Sequence, residues 1–253
     1  MSLTNVLGPA EDAAYPSVDV AIRCDVGKVR EENQDRAVAV ATMLGALFIV
    51  ADGVGGLKSG ALAAQMAVDG YGKYLATADR ETEPATALQQ ATQVVNQAIV
   101  GEAAEQAMGS TVALLLLRAT KAYIGHAGDS RVYLIRGGEM SLLTSDHSIV
   151  QKMIDHGILT EAQSRTHPDA SVLTRSLGQP NVELELAEMD WAPGDALLLC
   201  SDGLWGYISE EALREAACAP AGTADEMADR LLDLALEAGG GDNISIIFLR
   251  LPS

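Results

Sequence analysis

Apolar and polar positions along this chain alternate in two regimes. The runs "VDVAIRC" (18–24), "RAVAVATM" (36–43) and "ALFIVA" (46–51) read as three consecutive strands, because residues two apart share one face of a pleated strand. Two longer stretches, about 57–77 and 84–107, then repeat small and apolar residues at helical spacing, with Leu62, Met66 and Tyr74 marking the first. Strands follow in "STVALLLLRA", "KAYIGHAG", "SRVYLIRGG" and "EMSLLT", separated by short turns. "DHSIVQKMIDHGILTEAQ" predicts a helix with Asp146 as its N-cap, and irregular chain runs on to Gly178. "VELELAEM" and "DALLLC" predict strands, about 209–217 and 223–238 helices, and "NISIIFLRL" a closing strand. Strand blocks separated by helix pairs, without βαβ alternation, indicate an α+β fold in which helices cover antiparallel sheets.

One junction needs a further reason. In "FIVADGVGG" an apolar strand ends in Asp52-Gly53, which by itself reads as a hairpin turn. No second strand follows at once; the chain enters a helical pattern instead. The same order, apolar run, Asp-Gly and helix, recurs at Asp202-Gly203 in "ALLLCSDGLWGYISEEALREAA". Asp35 in "ENQDR", Asp129 in "HAGDSR" and Asp242 in "GGDNIS" also stand at strand ends beside tight-turn residues. If the sheets bring these carboxylates together they repel, unless a cation sits between them. Hard oxygen donors without a histidine cluster suit Mg²⁺ or Mn²⁺ rather than Zn²⁺. His126, His147, His156 and His167 lack zinc-site spacing and read as structural, with His147 placed to fix a loop. Arg30, five residues before Asp35, has the planar fork that clamps a phosphate.

Composition narrows the classes. The chain of 253 residues carries a formal net charge of −18, which repels a phosphate backbone and speaks against nucleic-acid binding. No apolar run is long enough to span a bilayer. The start lacks the basic and apolar regions of a signal peptide, so the expected location is the cytoplasm. The three cysteines, Cys24, Cys200 and Cys218, give neither a disulfide framework nor a CxxC site. Residues 1–17 read as a flexible N-terminal arm and 18–253 as a single domain.

Cys24 to Arg30 fits C-x-x-G-x-x-R, the phosphate loop of cysteine-dependent tyrosine phosphatases. That loop must open a helix, whose N-terminus lowers the thiol pKa. Here Glu31, Glu32 and a strand follow, so the match is set aside.

The ordered motifs "DVGKVREENQD", "VADGVGG", "GSTVALLLL", "HAGDSRVYLIRGGEM", "LTSDHS", "HPDASVLTRSLG", "LLLCSDGLW" and "GDNISIIFL" span roughly residues 18–251. Together they resemble the protein phosphatase 2C family of metal-dependent serine/threonine phosphatases, in its compact bacterial form. The resemblance implies a four-layer αββα sandwich: two packed antiparallel sheets flanked by helix pairs. It implies hydrolysis of phosphoserine or phosphothreonine by in-line attack of a water bridging two Mn²⁺ or Mg²⁺ ions, with a third ion more weakly held. Asp52 would bridge the ions and the Gly53 carbonyl would complete one of them. Asp202 and Asp242 would bind the other, Asp35 would hold its waters, Asp129 would serve the third, and Arg30 would bind the substrate phosphate. Residues 147–177 match a mobile flap. Val54 stands where eukaryotic members carry His and bacterial ones Met. Implied partners are phosphorylated proteins and a cognate serine/threonine kinase, with no nucleic acid or membrane and a monomeric chain. The alternative is an inactive binding or sensor domain, which should have lost one of these carboxylates; none is missing.

Overall fold

The computed structural model describes residues 18–55, 57–103, 108–220 and 222–251. The expected arm at 1–17 lies outside the described residues, as does the end of the second predicted helix at 104–107. The first half runs β1 (Asp19–Asp25), β2 (Asp35–Ala41), β3 (Ala46–Gly55), α1 (Leu57–Ala76), α2 (Pro84–Glu102), β4 (Met108–Ser110), β5 (Val112–Arg118) and β6 (Lys121–Ala127). Then come β7 (Arg131–Arg136), β8 (Glu139–Leu142), α3 (Ile149–Asp155), α4 (Glu161–Ser164), β9 (Glu185–Asp190) and β10 (Ala196–Cys200). The chain closes with α5 (Asp202–Trp205), α6 (Glu210–Cys218), α7 (Ala224–Glu237) and β11 (Ile244–Arg250).

One sheet has the order β1-β11-β10-β7-β8 and the other β2-β3-β5-β6-β9, with β4 also paired to β3. Neighbours are antiparallel throughout. Period-two alternation sorts the apolar residues into three layers. Ala46, Phe48 and Val50 of β3, Ala113, Leu115 and Leu117 of β5, Leu197 and Leu199 of β10, and Ile247 and Leu249 of β11 fill the space between the sheets. The intervening residues Leu47, Ile49, Val112, Leu114 and Leu116 face α1 and α2. Leu198, Ile244, Ile246 and Phe248 face α6 and α7. Each central strand is apolar on both faces because both are covered, which gives the αββα order.

Helix starts follow local chemistry. Glu83 caps α2 ahead of Pro84, and Thr223 with Glu226 forms a capping box on α7.

Four local expectations change. Asp146 is not an N-cap: Ser148 caps α3 by accepting from Gln151 N, while Asp146 pairs with Arg131. The helix expected across 146–163 breaks after Asp155, turns at Gly157 with φ +68°, and restarts at Thr160 with its own capping box. On α1 the buried face is Ala63, Ala64, Ala67, Val68, Tyr71 and Leu75, whereas Leu62 is exposed. Small residues win that face because the helix starts tight against β3: a Cβ at Gly60 would lie 2.7 Å from the Gly53 carbonyl oxygen. Finally, β3 does not stop at Asp52-Gly53; it continues to Gly55 by pairing with β4.

Phe48 is fully buried between the sheets. Phe48→Ala should cost about 3–5 kcal/mol, read as a lower urea midpoint with little change in slope.

Candidate functional site

The layer between the sheets turns from apolar to polar at one end, by the same two-residue step on seven strands. Beyond Val50 comes Asp52; before Ala37, Asp35; before Ala113, Thr111; before Val132, Ser130; beyond Leu199, Ser201; before Ile247, Ser245; and beyond Ile22, Cys24. Alternation therefore delivers seven polar groups to one end of a sandwich whose interior is hydrocarbon. Turns at that end add Asp129, Asp202 and Asp242.

Asp35 and Asp52 stand opposite each other across the β2–β3 pair, and their carboxyl groups share a hydrogen bond. The other face of Asp35 is held by Ser201, whose hydroxyl donates to Oδ2 at 2.6 Å, and Ser245 N donates in turn to Ser201 Oγ at 3.0 Å. The backbone of Asp52 is fixed by residues 110 and 111. Its N–H donates to Thr111 Oγ1 at 3.0 Å, and its carbonyl accepts from Thr111 N at 2.8 Å and Ser110 Oγ at 3.0 Å. Asp52, Asp202 and Asp242 are half-buried, whereas Asp35 and Asp129 are buried.

Electrostatics make these acids one cluster. Asp52 is held well above the usual carboxylate range by burial and then by the charges of Asp35, Asp202, Asp129 and Asp242. Asp202 is raised in the same way by burial, then Asp129, Asp242 and Asp35. Burial pushes Asp35 up to about 6, and burial with Asp146 pushes Asp129 up to about 7. Against this stands Arg30, whose Nη2 reaches Asp242 Oδ2 at 2.8 Å from a half-exposed position. Arg30 meets one carboxylate of the five, and Arg131, which also bears on Asp129, is taken up by Asp146, so the crowding is not offset. The donor set therefore fits hard divalent cations: carboxylate oxygens, plus a strand carbonyl at Gly53 kept clear of side chains by Gly60.

Side chains that the sequence reading did not single out build the frame. Asn243 accepts from Gln34 N at 2.8 Å and donates to Val26 O at 2.9 Å and Glu32 O at 3.0 Å, stapling the loop that carries Arg30. Trp205 Nε1 donates to Asp129 O at 3.1 Å, so α5, which begins with Asp202, is tied to the Asp129 turn. The Arg131 guanidinium lies 3.5 Å from the centre of the Trp205 ring and grips both oxygens of Asp146 at 2.9 and 2.7 Å. The clue available in sequence was position alone, a polar residue flanking each of the recognised acids.

Chain spacing also hid a histidine cluster. His126 and His147 stack with centroids 4.4 Å apart, and their nitrogens lie within 4.8 Å of a Glu185 oxygen. Hydrogen bonds fix both tautomers away from metal binding. Gly128 N donates to His147 Nδ1 at 3.1 Å, so the proton sits on Nε2, directed at Glu185 Oε2 at 3.2 Å. His126 Nε2 donates to the Ser145 carbonyl at 2.8 Å. His147 N also donates to Gly128 O at 2.9 Å, and burial holds its ring down to about 4. His147 thus fixes a loop, the one preceding Asp129.

Cys24 is exposed, because its position lies past the last apolar residue of the layer. Burial of the sulfur itself still raises the thiol pKa, with Ser245 Oγ at 3.2 Å. A thiol so disposed is a poor nucleophile.

Carboxylates with raised pKa values bind more protons folded than unfolded, so they lower stability as pH rises from about 4 towards 7. His147 has the opposite sign, and a difference measurement removes it. In EDTA, the melting temperature of Asp202→Asn minus that of wild type should grow between pH 5 and 7.5. Trp205→Phe keeps a ring beneath Arg131 but loses the donor to Asp129. It should cost about 0.5–1.5 kcal/mol in urea unfolding.

The Protein phosphatase 2C family model matches residues 28–234. The chain is 35% identical over 235 residues to the serine/threonine protein phosphatase PstP of Mycobacterium tuberculosis, covering 90% of this chain and 44% of that protein. It is 33% identical over 243 residues to the protein phosphatase PhpP of Streptococcus pneumoniae, covering 92% and 98%. A solved structure of the PstP catalytic domain in complex with two manganese ions superposes with a TM-score of 0.83 at 32% identity, covering 93% and 99%. The chain thus spans less than half of the mycobacterial relative and nearly all of the streptococcal one, and it belongs to the protein phosphatase 2C family.

Proposed function

We propose that this protein is a metal-dependent serine/threonine protein phosphatase. The observation that carries the reading is the cluster of five acids, crowded and under-compensated, at the end of the sandwich. Asp52 and the Gly53 carbonyl would hold one Mn²⁺ or Mg²⁺ ion, and Asp52, Asp202 and Asp242 a second. Asp129 would serve a third and weaker ion. Such ions supply an activated water and neutralise phosphoryl oxygens for in-line displacement.

The chain's own residues do the remaining work. Arg30, already directed at Asp242, would receive the substrate phosphate with its free edge. Asp35, fixed by Ser201, would accept hydrogen bonds from the water that attacks. Asn243 and Trp205 would hold the Arg30 loop and the Asp129–Asp202 pair in register. No protein nucleophile is needed. Val54, exposed on β3, offers no proton, so the leaving group would be protonated by water or by a neutral carboxyl of the cluster.

Phosphoserine and phosphothreonine proteins are the substrate class, made by a serine/threonine kinase acting on the same targets. Among the described residues no helix is long and apolar enough to cross a membrane. The three free cysteines support a reducing, cytoplasmic compartment, where the chain would work as a monomer. Residues 147–177 would act as a flap beside the cleft, anchored at both ends by the bridges Ser148–Leu173 and Ser110–Leu177.

EDTA should abolish hydrolysis of a phosphothreonine peptide, and Mn²⁺ should restore it. Asp242→Asn should lose most turnover at saturating Mn²⁺ while remaining folded; full activity in that variant would sink the metal assignment. Arg30→Ala should lose about 1.5–3 kcal/mol in kcat/KM, chiefly through KM. Cys24→Ser should stay within a few-fold of wild type, whereas a thiol mechanism requires complete loss.

A further inference from the structure

Beside the acids lies an aromatic side chain that the proposed chemistry does not use. Tyr207 follows α5, one residue past Gly206, and is 44% exposed. The phenol end of its ring rests directly on Gly241. A Cβ on Gly241 would lie 2.4 Å from Cε1, 2.8 Å from Cζ and 2.9 Å from the hydroxyl oxygen, so only glycine admits the ring in this seat. The residue after Gly241 is Asp242, whose Oδ2 holds Arg30 Nη2 at 2.8 Å. The ring therefore stands beside the acid cluster on the side of Arg30. Its hydroxyl makes no hydrogen bond to any described residue. A phenol keeps its proton at neutral pH, so the hydroxyl is a donor.

An exposed tyrosine on a surface is ordinary, and its hydroxyl then bonds water. Here three features coincide: a glycine seat shaped to the ring, an unused donor, and a position next to Arg30. Tyrosine offers a large rigid contact area with a polar tip at low entropic cost, which suits a binding wall. We infer that Tyr207 is a substrate-contacting residue that grips the peptide chain flanking the phosphorylated side chain, its ring packing on that chain and its hydroxyl donating to it. This rests on the phosphatase reading and assigns a determinant for protein over small phosphate esters.

The test compares Mn²⁺-dependent kcat/KM for a phosphothreonine peptide with that for para-nitrophenyl phosphate, which has no peptide to grip. Expressed as a ratio, peptide preference should fall about tenfold in Tyr207→Ala, through loss of ring contact and donor. Tyr207→Phe keeps the ring and should fall about threefold. Circular dichroism and melting temperature establish that both variants are folded. A ratio unchanged in both variants, with wild type active on both substrates, overturns the inference and leaves the phosphatase reading intact. An equal fall on both substrates also overturns it, since Tyr207 would then act on the acid cluster. Wild-type protein inert towards both compounds with Mn²⁺ would overturn the phosphatase reading and this inference with it.

Discussion

Mutual repulsion among carboxylates is the constraint around which the molecule is arranged. Asp35, Asp52, Asp129, Asp202 and Asp242 are brought by separate strands and turns to one end of the sandwich, where burial and neighbouring carboxylates raise the proton affinity of Asp35, Asp52, Asp129 and Asp202. Left to themselves such groups would splay apart or take up protons. Apart from Arg30 and Arg131, what resists is neutral: serine and threonine hydroxyls, an asparagine, an indole N–H and backbone amides. Each accepts or donates at a fixed angle and adds no charge. The arrangement is costly to the free protein, and it is the condition for binding hard cations tightly.

The frame divides into two halves that meet at the cleft. On one side, residues 110 and 111 lock the backbone of Asp52, and Ser201 locks the carboxylate of Asp35. On the other, Trp205 fastens the Asp202 segment to the Asp129 turn. Arg131, gripped by Asp146, lies over its ring, and His147 holds the approach through Gly128. Arg30 and Asn243 join the halves, since the loop of Arg30, which links β1 to β2, is held by Asn243 at the entrance to β11.

Much of this was legible in the sequence, because period-two alternation is a strong signal in strands buried on both faces. The strand blocks, the helix pairs and the strand-end acids were read from pattern, and the layered sandwich followed once the motifs resembled a family. Less legible were features decided by tertiary contact. Leu62 looked like a core residue until the Gly53–Gly60 approach favoured alanines on the inner face. Asp146 looked like a cap until Arg131, fifteen residues earlier in the chain, claimed it. The pairing of β4 that carries β3 past Asp52 depends on three residues with no strand signature of their own. The hydroxyl ring could have been found by continuing each apolar face one step further, a rule applied to the acids and not to their neutral partners.

The pairing of β1 with β11 has a consequence for how the protein comes into being. Asp19 lies opposite Arg250, so the strand synthesised first among the described residues can be completed only by the one synthesised last. β11 is also a central strand, flanked by β1 and β10, and it is entered from Asp242 and Asn243. Until it leaves the ribosome, the first sheet lacks its middle and the Arg30 loop its staple. A growing chain can thus bury its helices against the second sheet while holding an incomplete cleft. The assembled acid cluster would then arrive late and all at once, as a property of the whole fold rather than of any segment that folds before it.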